Sequence, residues 1–213
     1  MNLLRELFEK PWVSPQGPRG DVVTLPSATI GLRLFLGVVT VLFSLLTVAY
    51  GERMSYEEWR PLPDSWLMWL NVAVLVGASA ALQWARVSAR RGDLHGVRQG
   101  LTAGGFFTFA FLGGQVWAWQ QLAAYDFIAT TSPANAFFYL ITTLHGLHLL
   151  GGLVAWGVTT ERVFRGAPLA KIRLSINLCA VYWHYLLGVW LALFVLLFLP
   201  GGALPIVCRA FTP

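Results

Sequence analysis

The sequence predicts an all-α integral membrane protein, a bundle of five transmembrane helices. Two observations lead there. Hydrophobic residues make up 56% of the 213 residues and charged ones only 12%, about half the roughly 25% usual in a soluble domain. The apolar residues also fall into five long runs, at Thr29–Tyr50, Ser65–Ala85, Leu101–Ala124, Ala136–Thr159 and Asn177–Pro200. A hydrocarbon core of about 30 Å takes roughly 20 residues of helix, so each run can cross it. In lipid the backbone must satisfy its own hydrogen bonds, which makes each run a helix, and without period-2 alternation none reads as a barrel strand.

The first run follows an N-terminal segment, residues 1–27, of mixed charge. That segment has no apolar stretch ending in a small-residue cleavage site, so targeting is expected to rest on the first span. Trp59, Trp66 and Trp69 flank the connection between the first two runs, and Trp117 and Trp119 lie toward the end of the third. They read as interfacial anchors. The paired or helically spaced small residues Gly77/Ala81, Gly104/Gly105, Gly113/Gly114 and Gly151/Gly152 predict close helix contacts. Residues 28–200 form one membrane domain on this reading, and residues 201–213 a short tail.

Orientation comes from the connections. The N-terminal segment with Arg33 carries four Lys or Arg. The connection between runs two and three carries Arg86, Arg90, Arg91 and Arg98, and that between runs four and five Arg162, Arg165, Lys171 and Arg173. The opposite side has Arg53, Arg60 and Arg209. This asymmetry predicts a cytoplasmic N-terminus and a periplasmic C-terminus. The formal net charge of +5 is then a consequence of topology, and no nucleic-acid partner is expected.

The spans are poor in chemistry. All ten acidic residues lie outside them or at their edges, so no carboxylate relay for protons is written in the chain. Cys179 and Cys208 form no metal or haem-attachment motif and suggest no disulfide. Three histidines remain inside: His145 and His148 on one face of the fourth span, and His184 on the fifth. If the last two spans are neighbours, His184 can approach that face. A pair of these imidazoles can ligate a b-type haem, which makes a haem b membrane anchor one reading. Hydrogen bonding between helices by neutral imidazoles is the other. A full haem–copper centre needs more histidines than the four present. A small transporter would call for midplane ionisable sites and an inverted repeat, neither of which is visible.

The stretch NAFFYLITTLHGLHLLGG resembles the signature of the haem–copper oxidase subunit III family. Phe137, Phe138, Thr142, His145, Gly146, Leu147 and His148 stand in its register. Tyr182, Trp183 and His184, followed by Val189 and Trp190, are similar to the family's Tyr-Trp-His stretch and its later Val-Trp pair. Asn71 after Leu70, Ala85 after Trp84, and Gln115 extend the resemblance upstream, over about residues 28–200. It implies the five-helix bacterial form of cytochrome c oxidase subunit III in the inner membrane. The implied role is accessory: a hetero-oligomer with subunit I as main contact, subunit II, and a small subunit IV as a further neighbour. Haem and copper belong to those partners and none to this chain, while phospholipid binding, stabilisation of subunit I and support of proton uptake come with the family. A subunit of a quinol oxidase or nitric oxide reductase is the alternative within it. The chain departs from the pattern at Thr40, where a buried glutamate is usual, at Ala118-Trp119, where a Glu-Tyr pair is usual, and at Leu187, where aspartate is frequent.

Overall fold

The computed structural model describes residues 27–53, 66–124 and 133–198. Five helices occupy them: α1 (Ser27–Arg53), α2 (Trp66–Arg91), α3 (Leu94–Ala124), α4 (Pro133–Phe164) and α5 (Leu169–Phe198). No strand occurs among the described residues. Trp59, Asp126, Cys208, the N-terminal segment and the C-terminal tail lie outside them.

Most helices are longer than the apolar runs that announce them, because charged residues continue the same hydrogen-bond ladder beyond the hydrocarbon. α2 ends on Arg90 and Arg91, where cations meet the negative end of the helix dipole. Pro133 opens α4, a position where its missing N–H would be unpaired anyway.

Two tight turns align four of the helices. Gly92 takes a left-handed backbone (φ 80°), donates to the Ala89 carbonyl at 3.3 Å, and lets Asp93 N–H reach the Ser88 carbonyl at 3.0 Å. Gly166 (φ 78°) repeats the pattern, with bonds to Val163 and from Ala167 to Arg162. Both are Schellman ends, which favour glycine because a side chain strains that conformation. Asp93 then caps α3 by accepting the His95 N–H at 3.0 Å.

The turn at Gly92 folds α3 back along α2, and these two helices share the most extensive contact of the bundle. Glycines make it possible. A Cβ added to Gly96 would strike Ser88 and Asp93, one on Gly100 would lie 2.7 Å from the Ala85 nitrogen, one on Gly104 2.8 Å from Leu82, and one on Gly114 would strike Asn71. The contact thus runs antiparallel from Ser88 to Asn71, nearly the length of α2. Gly105 and Gly152 do the same elsewhere, receiving Trp156 and Tyr182 respectively. Gly113 and Gly151 face open space instead.

Four helices, all but α3, are long and apolar enough to cross a membrane. Its glycines, Thr102, Thr108, Gln115, Gln120 and Gln121 dilute its hydropathy. Its pairing with α2 nevertheless carries it through the same depth, and two of its polar groups, Thr108 and Gln115, turn inward and are buried. α5 packs on α2, α4 and α1, α4 also meets α3, and α1 rests on α4 and α5. The core between them is closed by Trp183, Phe111, Phe138, Leu75, Leu101 and Leu186.

Gly100→Ala should drive its methyl into the α2 backbone, which has no side chain to move aside. We expect a loss of about 1–3 kcal/mol, the usual effect of overpacking, seen as a lower thermal midpoint in detergent. Gly113→Ala should leave the midpoint unchanged or slightly raised.

Candidate functional site

The residues singled out in the sequence converge on the seams between helices. Asn71 and Gln115 are both buried, and the Asn71 amide donates to Gln115 Oε1 at 3.4 Å, joining α2 to α3. Trp183 is buried and its Nε1–H donates to the Thr108 hydroxyl at 3.0 Å, joining α5 to α3. The Thr108 hydroxyl in turn donates a hydrogen bond to the Gly104 carbonyl at 2.7 Å. The Tyr182 hydroxyl donates to the His148 carbonyl at 2.8 Å, joining α5 to α4 across Gly152. Each bond uses a helical carbonyl's second lone pair or a matched side chain, so no ladder bond is lost.

The histidines divide. His148 donates from Nδ1 to the Leu144 carbonyl one turn back, at 2.8 Å, and its ring lies against Phe35 and Phe43 of α1. A carbonyl only accepts, so Nδ1 carries the proton. His145, on the same helix, is fully buried among rings: Trp190 at 4.9 Å between centroids, and Phe43 and Phe111 edge-on at 6.3 Å. Neither of its nitrogens has a hydrogen-bond partner among the described residues, nor does Trp190 Nε1. His184 turns away from both. It lies on the α2 side of α5, bonded through Nδ1 to the Ser79 hydroxyl and through Nε2 to Gln83 Oε1 at 3.1 Å.

The neighbouring spans therefore do not bring His184 to the His145/His148 face. One histidine is engaged with α2, one points toward α1, and one is sealed in the core. Among the described residues no three His, Cys, Asp or Glu side chains gather where a metal ion could be held.

The other motif residues have plainer roles. Phe138 is buried and Phe137 packs against the core. Thr142 bonds the Phe138 carbonyl at 2.8 Å. A Cβ on Gly146 would meet nothing within the chain, so helix packing here does not demand that glycine. Trp190 forms one wall around His145. Sequence reasoning passed over Ser79, Gln83, Tyr185 and Trp156. Trp156 donates from α4 to the Leu101 carbonyl of α3 at 3.0 Å, over Gly105.

At the departures from the family pattern the structure has neutral groups. Thr40 bonds the Leu36 carbonyl at 2.7 Å and meets the Tyr185 hydroxyl at 2.9 Å, tying α1 to α5. Ala118 is buried and Leu187 packs on the core.

An apolar groove of about 700 Å³ opens between α1, α4 and α5. Leu32, Phe35, Gly151, Val158 and Tyr182 line it, and Arg162 and Ser175 stand at its basic end.

Comparison with known proteins adds a family match. The model of the family described as cytochrome c oxidase subunit III matches residues 31–202. A cytochrome c oxidase subunit 3 of Thermostichus vulcanus is 29% identical over 175 residues, 80% of this chain and 86% of that protein. A probable cytochrome c oxidase subunit 3 of Mycobacterium tuberculosis (strain H37Rv) is 28% identical over 182 residues, 84% of this chain and 85% of that one. A cytochrome c oxidase subunit 3 of Triticum aestivum is 29% identical over 140 residues, 65% and 52% respectively.

Replacing His145 by Leu removes two buried nitrogens that lack partners and keeps the bulk among the rings. Removing an unpaired buried polar group is neutral or stabilising. We expect an unchanged or higher thermal midpoint for His145→Leu, and a reduced-minus-oxidised spectrum of the purified complex with undiminished haem. Loss of a haem band would identify the imidazole as a ligand.

Proposed function

This chain belongs to the cytochrome c oxidase subunit III family, and from that premise we propose that it is the accessory third subunit of an aerobic respiratory oxidase. In this role it contacts subunit I, with subunit II and a small subunit IV as further neighbours, and binds neither haem nor copper. Reduction of dioxygen takes place at the partners' redox centres, which receive their electrons from cytochrome c.

The observation that carries the reading is how the family-motif residues are used. Asn71 with Gln115, Trp183 with Thr108, and Tyr182 with His148 spend their polar atoms on neighbouring helices. Such groups build a scaffold, since interhelical hydrogen bonds and close packing are what associate helices in lipid. The three intramembrane histidines diverge instead of presenting a pair of imidazoles to one iron, which disfavours the haem b anchor.

Phospholipid is the ligand that suits the groove between α1, α4 and α5. Its walls fit acyl chains, and Arg162 with Ser175 offers a charge-assisted site for a phosphate at one end. A filled groove would also hold α1 against the bundle. The contribution to proton uptake is then indirect, through support of subunit I, because Thr40, Ala118 and Leu187 supply no titratable carboxylate.

The cations support an orientation with the N-terminus in the cytoplasm of a bacterial inner membrane. The turns at Gly92 and Gly166 lie at one end of the bundle with Arg90, Arg91, Arg162 and Arg165 around them. Alkaline phosphatase fused after Pro213 should be active, whereas a fusion placed in the turn at Gly166 should be inactive. The reverse pattern would invert the topology.

An oxidase assembled without this chain should start at the normal rate of oxygen consumption and then inactivate over repeated turnover. The check is an oxygen-electrode time course with reduced cytochrome c as donor. Zero initial turnover in a core that retains its haem spectrum would assign the chain a part in catalysis and overturn the accessory reading.

A further inference from the structure

A polar cluster lies on the outer surface of the bundle, from the middle of α2 and α5 toward their basic ends, where lipid would be the default neighbour. Ser79 stands near the middle of α2 and His184 near the middle of α5. The imidazole is bonded on both nitrogens, to the Ser79 hydroxyl and to the Gln83 carbonyl oxygen. It nevertheless remains exposed at the surface of the chain, with Gln83 half-buried beside it.

The cluster has donors to spare. With its oxygen taken, the Gln83 amide group has two N–H bonds to offer. Arg86, one turn further along α2, reaches that same oxygen only at 3.5 Å, and its Nε is buried without a partner. Among the described residues Glu161 pairs with Arg165, Asp93 caps α3, and Glu52 stands near the C-terminal end of α1, at the opposite end of the bundle from Arg86. A lipid tail contributes no acceptor, and unsatisfied donors in hydrocarbon are strongly unfavourable.

The surface around it suits a helix. Val181, His184, Gly188, Leu191 and Val195 form one outward row on α5, and a Cβ at Gly188 would meet nothing. A hollow of about 580 Å³ adjoins the row between α1 and α5, with Ser44, Gly188 and Ala192 along it. Small residues flanking a hydrogen-bonding group are the usual make-up of a helix–helix contact in membranes.

We propose that this face, centred on His184, docks one transmembrane helix of another oxidase subunit, which brings a hydrogen-bond acceptor opposite Gln83 and Arg86, toward the basic end of α2. The proposal rests on the oxidase reading above and adds the face and the chemistry. The charge relation selects the partner: a donor-rich patch with a guanidinium takes a carboxylate or a free carbonyl, and a second copy of this chain would present donors to donors.

The test is site-specific photocrosslinking in native membranes with the full-length tagged chain. A benzophenone amino acid is placed at Val76 or Leu191, one or two turns from the cluster on the same rows, and at Val154, exposed on α4, as the contrast. Tag purification without irradiation first shows whether haem-bearing partners accompany the chain. If they do not, the oxidase reading itself fails. If they do, we expect Val76 and Leu191, and not Val154, to yield an adduct that peptide mass spectrometry assigns to another oxidase subunit. Adducts with lipid alone, with a second copy of this chain, or from Val154 only would overturn this inference and leave the oxidase reading standing. Gln83→Leu should also lower the fraction of chain retained on the complex through a detergent wash by about three- to tenfold, the range for an interhelical hydrogen bond in a membrane. Unchanged retention would count against the donor role.

Discussion

The close antiparallel approach of α2 and α3 is the contact on which the rest of the bundle depends. Helices already in lipid gain nothing from hiding apolar surface, so backbone proximity and dispersion must hold them. Gly96, Gly100, Gly104 and Gly114 let α3 lie against the backbone of α2 from Ser88 to Asn71. Once that pair is fixed, α5 can seat Trp183 against Thr108 of α3 while His184 reaches Ser79 of α2. Both bonds come from adjacent residues of α5, so they set its rotation as well as its depth.

On this platform the polar side chains act as staples of graded depth. Asn71 with Gln115, Thr108 with Trp183, and Leu101 with Trp156 tie α3 to each of its three neighbours. α3 gives up hydropathy to supply these groups, and Gly100, Gly104, Thr108 and Gln115 meet protein instead of lipid. The same residues that make α3 a poor membrane span in isolation make it a close partner of α2. Its two-residue connection to α2 lets the pair form together as a helical hairpin.

Much of this was legible in the sequence. Five apolar runs specified five helices, because a bilayer leaves the backbone few alternatives. The Gly104/Gly105 and Gly113/Gly114 pairs pointed to close contacts, yet Gly105 and Gly114 accept a neighbour while Gly113 looks outward. Spacing along one helix cannot say which face a partner will choose. The histidines show the same limit more sharply. Their positions on α4 and α5 permitted a shared site, but His184 follows His145 by rotation about a different helix axis, and α2 rather than α4 claimed it. Family resemblance located the important residues without disclosing their partners, which depend on Ser79, Gln83 and Thr108, residue types too common in any sequence to attract notice.

α1 shows how far the chain alone can go. It rests on α4 and α5 through Val39, Phe43 and Tyr50, and exposes Leu34, Val38, Val41, Leu45 and Val48 along its other side. A helix apolar all round is suited to apolar surroundings on every side. Hollows lie on both of its flanks, one shared with α4 and α5 and one with α5 alone. Thr40, where a carboxylate would stand in the family pattern, bonds the Leu36 carbonyl within α1 and the Tyr185 hydroxyl across the seam. A neutral hydroxyl can do this at a surface open to lipid, whereas an ionised carboxylate there would need a cation or a buried water chain to remain. The exchange of carboxylate for threonine therefore agrees with the exposed position of α1: a helix this loosely covered can keep a polar contact, but only one that carries no charge.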